Sequence, residues 1–330
     1  MRVILVLICF VGSVRADAWG KRGHETVGSL AAQLLAKEHA QGRFLSSHAF
    51  DMGFYNNAPD LVWKADPETY KKEFPQHFLD LEIFDRAFAK AAQASPPVTA
   101  APPNTINASG AAIAAPWNSS RTEFFKTFPD LDEKAGRAPW RIQELCLRLD
   151  KIVQNLKKKN LSKKDHHQLQ EQWLVTAGIL GHYIADLAQP MHVTENYDGQ
   201  LTKQKGLHHW FEENIVDDLY PAMTDEVYKK AQGQWKSFYQ AHQKMTAFDL
   251  SLELVKDSHK NLKRVLDLDK KLGRASERKV SGEYRELVID RLSTGVLFLA
   301  TIWAQHLDWP YDGDKFFNFV LKPDFIELGT

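Results

Sequence analysis

Two acid–histidine pairs at helical spacing, with a proline between them, constrain this chain most. His182 and Asp186 lie four residues apart, and so do His208 and Glu212. Residues at that separation share one face of an α-helix. Pro190 ends the first helix, because proline removes a backbone donor and clashes with the preceding turn. His192 follows in the turn so formed. These three imidazoles and two carboxylates stand at spacings that could close around metal ions. Those groups are the ligands that zinc takes, and most imidazoles are neutral at pH 7 and able to bind. A single His-x-x-x-Asp is usually a surface pair. Several arriving together point to metal-assisted hydrolysis.

The rest of the chain reads as helical. Val27, Leu30, Ala31, Leu34 and Leu35 recur at helical spacing. Residues 139–156 place Ile142, Leu145, Leu149, Ile152 and Val153 on one face, and 157–164 form a solvated basic turn. Residues 166–189 turn Trp173, Leu174, Ala177, Leu180, Ile184 and Leu187 inward. Segments 207–219, 226–244 and 250–270 carry the same period, and 281–307 form a last, strongly apolar helix. Residues 44–82 are mixed, with a turn at Asn56-Asn57-Ala58-Pro59. Few stretches alternate with period two. The expectation is one all-α, multi-helix domain over 19–330. Residues 90–118, rich in Ala, Pro, Ser and Asn, read as an exposed loop. Together with 221–280 they are candidates for the rim of a cleft.

The chain has 330 residues, 44% hydrophobic and 25% charged, which suits a soluble globular protein. Its formal net charge is zero, so no global basic field draws in long nucleic acid and only a local patch remains open. Arg2, the apolar run from Val3 to Val11 and Ala16-Asp17-Ala18 read as a secretory signal peptide over 1–18. Cleavage after Ala18 makes Trp19 the first mature residue and the protein secreted or periplasmic. No later segment reads as apolar enough to span a bilayer. Cys9 would leave with the signal, and Cys146 alone cannot form an internal disulfide.

With these residues in view, the chain resembles the superfamily of zinc-dependent single-strand nucleases and bacterial zinc phospholipases C. Trp19-Gly20-x-x-Gly23-His24 is similar to the mature start of the nucleases. Asp60 in NAPDLVW resembles an early Asp ligand, and His77-Phe78-x-Asp80 resembles a His-Phe segment. His182-x-x-x-Asp186, Gln189-Pro190-x-His192 and His208-x-x-x-Glu212 resemble the central ligand run. The motifs occur in order from Trp19 to Glu212.

The resemblance implies three zinc ions. One would take Asp60, His77, His182 and Asp186. A second would take His192, His208 and Glu212. A third would take the Trp19 amine and carbonyl, His24 and a shared oxygen of Asp186. It also implies that Asp60 orients or deprotonates the attacking water, that Phe78 stacks a base and that Asp80 hydrogen-bonds it. Where the nucleases carry an Arg three residues after the early Asp, this chain has Trp63, and Lys64 next to it is the candidate phosphate contact.

The implied activity is that of a single-strand-preferring endonuclease and 3′-nucleotidase, with single-stranded nucleic acid or nucleotides as substrate. No obligate protein partner is evident. Two alternatives stand. Gln189-Pro190-Met191-His192 and Glu213-Asn214 look more like a phospholipase C acting on lipid head groups. A secreted metal-binding protein without turnover would keep the ligands and lack access to them. His209 points about 100° away from His208 on a helix and reads as a neighbour or surface group. His39, His48, His166, His167, His242, His259 and His306 have no partner pattern in the sequence.

Overall fold

The computed structural model describes residues 19–39, 41–93, 121–129, 131, 135–274 and 280–310. The expected signal peptide, and the loop assigned to 90–118 from residue 94 onward, lie outside the described residues. Within them the chain is helical and contains no strand, only an isolated antiparallel bridge between Leu79 and Gly136.

Helix α1 (Gly20–Ala36) starts directly after Trp19 and buries the apolar stripe that its spacing predicts. Short helices follow: α2 (Gly42–Ser47), α3 (Ala49–Asn56), α4 (Ala58–Leu61) and α5 (Pro67–Glu73). Their brevity explains why 44–82 looks mixed. Gly42 opens one helix, while Pro59, Pro67 and Pro75 each sit in a first turn, where proline is tolerated. Then come α6 (Leu81–Gln93) and α7 (Arg121–Thr127). Longer helices complete the frame: α8 (Ala138–Leu156), α9 (Lys163–Ala188), α12 (Thr224–His242), α13 (Ala247–Leu272) and α14 (Gly282–Gln305). Between α9 and α12 lie α10 (Leu207–His209), a π-helical turn (Trp210–Asn214) and α11 (Ile215–Leu219), which form one continuous helical run.

Side-chain caps set several starts. Ser162, Thr246 and Ser281 accept from Asp165, Asp249 and Tyr284 N–H at α9, α13 and α14, and Asp66 does so from Thr69 at α5. Such caps are worth about 0.5–2 kcal/mol each. Helix α8 packs along α9, and α1 packs on α3 and α14. An aromatic cluster of Phe84, Phe88, Phe124, Phe128 and Trp140 joins α6, α7 and α8, and Trp140 meets Phe248 of α13.

Three expectations need correction. Lys90 to Gln93 belong to α6, so the loop does not begin at 90. Alanine, part of the composition that reads as a loop there, is also the best helix former. Residues 221–280 are not a rim loop: α12 and α13 occupy most of them, and α13 packs against α8, α9 and the turn that carries His192. A later segment is also apolar enough for a membrane. Helix α14 has the length and a window of mean hydropathy 1.5, with 83% of that window buried in the fold. Its apolarity lines the core on all sides.

Candidate metal centre

The centre forms where α1, α3 and α9 cross. Gly28 of α1 and Gly181 of α9 both face Asn56 at the end of α3, and a Cβ on either would lie 2.8 or 3.0 Å from Asn56 Nδ2. The close approach stacks His24 on His182, with ring centroids 4.1 Å apart. Asn56 Nδ2 donates to the His24 carbonyl, and the Asn56 carbonyl accepts from His182 Nδ1 at 2.7 Å.

Three buried groups of possible ligands result: His24–His182–Asp186, Asp60–His77–His182 and His192–His208–Glu212. His182 and Asp186 share a face of α9, as their spacing predicts. The Asp186 oxygens face different imidazoles, Oδ1 lying 3.3 Å from His24 Nε2 and Oδ2 3.0 Å from His77 Nδ1. Oδ2 is also 3.4 Å from His182 Nε2. Asp60 Oδ1 stands 3.6 Å from His182 Nε2 and 3.9 Å from His77 Nδ1. Lys64 Nζ lies 2.7 Å from the same oxygen.

Helix α9 ends at Ala188, and the 3-10 turn Pro190–Val193 delivers His192. The π-helical turn carries Glu212, a rare geometry that recurs at functional sites. His208 Nε2 is 2.9 Å from His192 Nε2 and 2.7 Å from Glu212 Oε2. Gln189 Nε2 donates to Glu212 Oε2 at 3.3 Å.

The donor set fits metal ions. His192 Nδ1 donates to the His77 carbonyl and His208 Nδ1 to the Tyr197 carbonyl. A carbonyl only accepts, so these Nδ1 atoms carry the protons and the neutral rings turn Nε2 lone pairs toward each other. Two lone pairs and a carboxylate oxygen facing inward repel unless a cation lies among them. Tetrahedral zinc with bonds of about 2.0–2.1 Å holds its ligand atoms about 3.3 Å apart, close to the spacings here.

Burial pushes the His77 and His182 imidazoles well below their ordinary range, helped for His77 by His182 and for both by the Lys64 ammonium. Burial also lowers His192. These rings are neutral at pH 7, the state that binds metal. Burial raises the Glu212 carboxyl to about 8. Metal ligation would draw that proton off.

Trp19 is fully buried, its indole 5.5 Å from the ring of Phe211. Its carbonyl accepts from His24 N–H at 3.3 Å. A Cβ on Gly20 would lie 2.6 Å from Glu213 Cγ, so the start of α1 abuts the segment carrying Glu212. Phe78 is half-buried, 5.4 Å from exposed Phe74. Asp80 is buried, and its carboxyl is pushed up to about 8 by burial and then by Glu82 and Glu195.

Eight of the nine candidate ligand residues thus fall into these three groups, and Trp19 is placed only by its burial beside Phe211 and the carbonyl it offers to His24 N–H. His182 joins the His24–Asp186 group as well, which spacing alone does not reveal. Several histidines without a sequence pattern do have acidic partners: His48 with Asp51, His167 with Glu171, His242 with Glu253, His259 with Glu82 and His306 with Asp150. His209 pairs with Glu213 at the surface. Sequence reading missed Asn56, Gln189 and Tyr183. Gln189 stands inside the Gln189-Pro190-x-His192 motif and Tyr183 follows His182, and that adjacency is the signal the sequence offers; Asn56 offers none beyond its place in a turn.

No protein-family model matches the chain, and no curated protein matches it.

Proposed function

We propose that this chain is a secreted zinc-dependent phosphoesterase with the fold of the phospholipase C and single-strand nuclease superfamily. The observation that carries the reading is the set of three buried ligand groups, two of them joined through His182. Bound there, divalent zinc would supply an acidified water and neutralise charge developing on a phosphoryl oxygen. The protein's own groups do the rest. Asp60 holds or deprotonates the attacking water, and Lys64, released from its oxygen, meets a substrate phosphate.

Turnover is favoured over a sealed metal store by the residual exposure of some ligands. His24, His182, Asp186 and Glu212 are 0% exposed, whereas His77, His192 and His208 keep 5–6% and Lys64 more. What exposure there is lies at His77, His192 and His208 and, more, at Lys64.

Within this reading the favoured substrate is single-stranded nucleic acid or a 3′-nucleotide. Phe78, beside His77, is half-buried and offers part of its ring, and base stacking on an aromatic ring is worth about 1–3 kcal/mol. Asp80, protonated at pH 7, presents both a donor and an acceptor to a base edge. A phospholipase C reading has its own support in Phe54, Leu61 and Val62, all more than half exposed around Asp60. The test is a paired assay of the processed, zinc-loaded protein on single-stranded DNA or RNA and on phosphatidylcholine. Turnover of nucleic acid with inert lipid is expected. Robust lipid cleavage with untouched nucleic acid selects the second reading, and inactivity on both favours the metal store.

A further inference from the structure

We propose that Tyr183, Glu73 and Arg141 form a buried positioning device that fixes the ring of His77. The inference rests on the metal-centre reading. His182, His192 and His208 are each oriented by an Nδ1–H donated to a backbone carbonyl, those of Asn56, His77 and Tyr197. Such partners set ring orientation in metal sites. His77 differs. Its Nδ1 faces Asp186 Oδ2 and His182 Nε2, both at 3.0 Å, and its buried Nε2 has no hydrogen-bond partner among the described residues. Packing must hold this ring.

The packing comes from Tyr183. Its ring meets that of His77 at 5.4 Å and 60°, and that of His182 at 5.4 Å and 88°. Tyr183 is fully buried, and its hydroxyl donates to Glu73 Oε2 at 2.7 Å. Glu73 Oε1 accepts from Arg141 Nη2 at 3.1 Å. The guanidinium carbon then lies 5.6 Å from the Tyr183 ring and 5.8 Å from that of Trp63. Arg141 and Glu73 side chains are 13% and 15% exposed.

These contacts join the segments that carry one ligand group. Glu73 lies four residues before His77, Tyr183 follows His182, and Trp63 lies three residues after Asp60. Helix α8 contributes Arg141 from outside the group. A shared ion pair thus sets the relative position of Asp60, His77 and His182. Tyr183 touches no substrate in this arrangement and acts through His77.

Tyr183→Phe removes one oxygen and keeps the ring. The full processed protein is titrated with cobalt(II), whose visible absorption reports ligand geometry. The expected result is about 10–100-fold weaker uptake in one binding step, an altered band for that step and an unchanged step for the His192–His208–Glu212 group. The melting temperature of the metal-free protein should stay at the wild-type value. Glu73→Gln, which keeps an acceptor for the tyrosine, should retain more affinity than Glu73→Ala. Wild-type cobalt affinity and spectrum in Tyr183→Phe would overturn the inference and leave the metal reading intact. A Tyr183→Phe chain that no longer folds also overturns it, assigning the triad to the fold. Absence of cobalt uptake by the wild type sinks the metal reading and this inference with it.

Discussion

Asp186 joins two ligand groups because its oxygens face opposite ways, Oδ1 to His24 and Oδ2 to His77. Asp186→Asn replaces one of those oxygens with a nitrogen and removes the charge. Metal content and activity should fall together, by at least the 10–100-fold that loss of even an outer partner costs. Metal analysis showing wild-type stoichiometry in the variant would count against the bridge. Asp80 yields a pH prediction. Its carboxyl stays neutral in the fold up to about 8, while in the unfolded chain it ionises near 3.8. Between those values unfolding releases a proton, so rising pH favours the unfolded state and stability falls. One such group gives a slope of up to about 1.4 kcal/mol per pH unit. Asp80→Asn should flatten the fall in melting temperature between about pH 5 and 8, and an equally steep fall in the variant would refute the assignment. The His182–Asp186 and His208–Glu212 pairs are legible because a four-residue spacing is itself geometry, whereas Trp19, His24, Asp60 and His77 come from the family resemblance alone. Asn56 was not, since its role depends on a carbonyl and on two glycines far away in sequence.

At the level of helices, the period of apolar residues located α8, α9 and α14 to within a few positions. Their burial on one face or all faces is what the period encodes. The same period is present in α6, where Leu81, Phe84 and Phe88 are buried and Arg86 and Lys90 are exposed, but the composition beyond residue 90 masks its end; the role of α13 also lies outside the period. Which helix packs on which is decided by tertiary fit that a single segment does not contain. The crossing of α1, α3 and α9 is one such fit. Gly28→Ala would set a Cβ 2.8 Å from Asn56 Nδ2 and 2.9 Å from the Met52 carbonyl oxygen. Backbone cannot yield as a side-chain tip can, so the helices must separate at a cost of about 1–3 kcal/mol. Because His24 and the Asn56 carbonyl ride on those helices, metal affinity should drop with the melting temperature. Calorimetric unfolding together with zinc titration tests this. An unchanged zinc affinity in a destabilised Gly28→Ala protein would mean that the crossing serves the fold alone.

For the molecule as a whole, the ligand groups gather residues from His24 to Glu212, so the fold has to bring the two ends of that span together. Trp19 is fully buried against Phe211, and the first residue of α1 presses on Glu213. This seat holds the start of α1 beside His24 and the Glu212 segment. If the resemblance to the zinc nucleases extends to the terminal amine, that amine completes the His24–Asp186 group. A chain processed to begin at Trp19 should then hold one more zinc than a chain with a single alanine left ahead of it. The shorter chain should also be the active one. Both chains keep Trp19, so indole burial and the α1 packing are common to them, and the difference isolates the amine. Equal zinc content and equal activity in the extended chain would remove the amine from the centre and leave His24, His182 and Asp186 as that group's ligands.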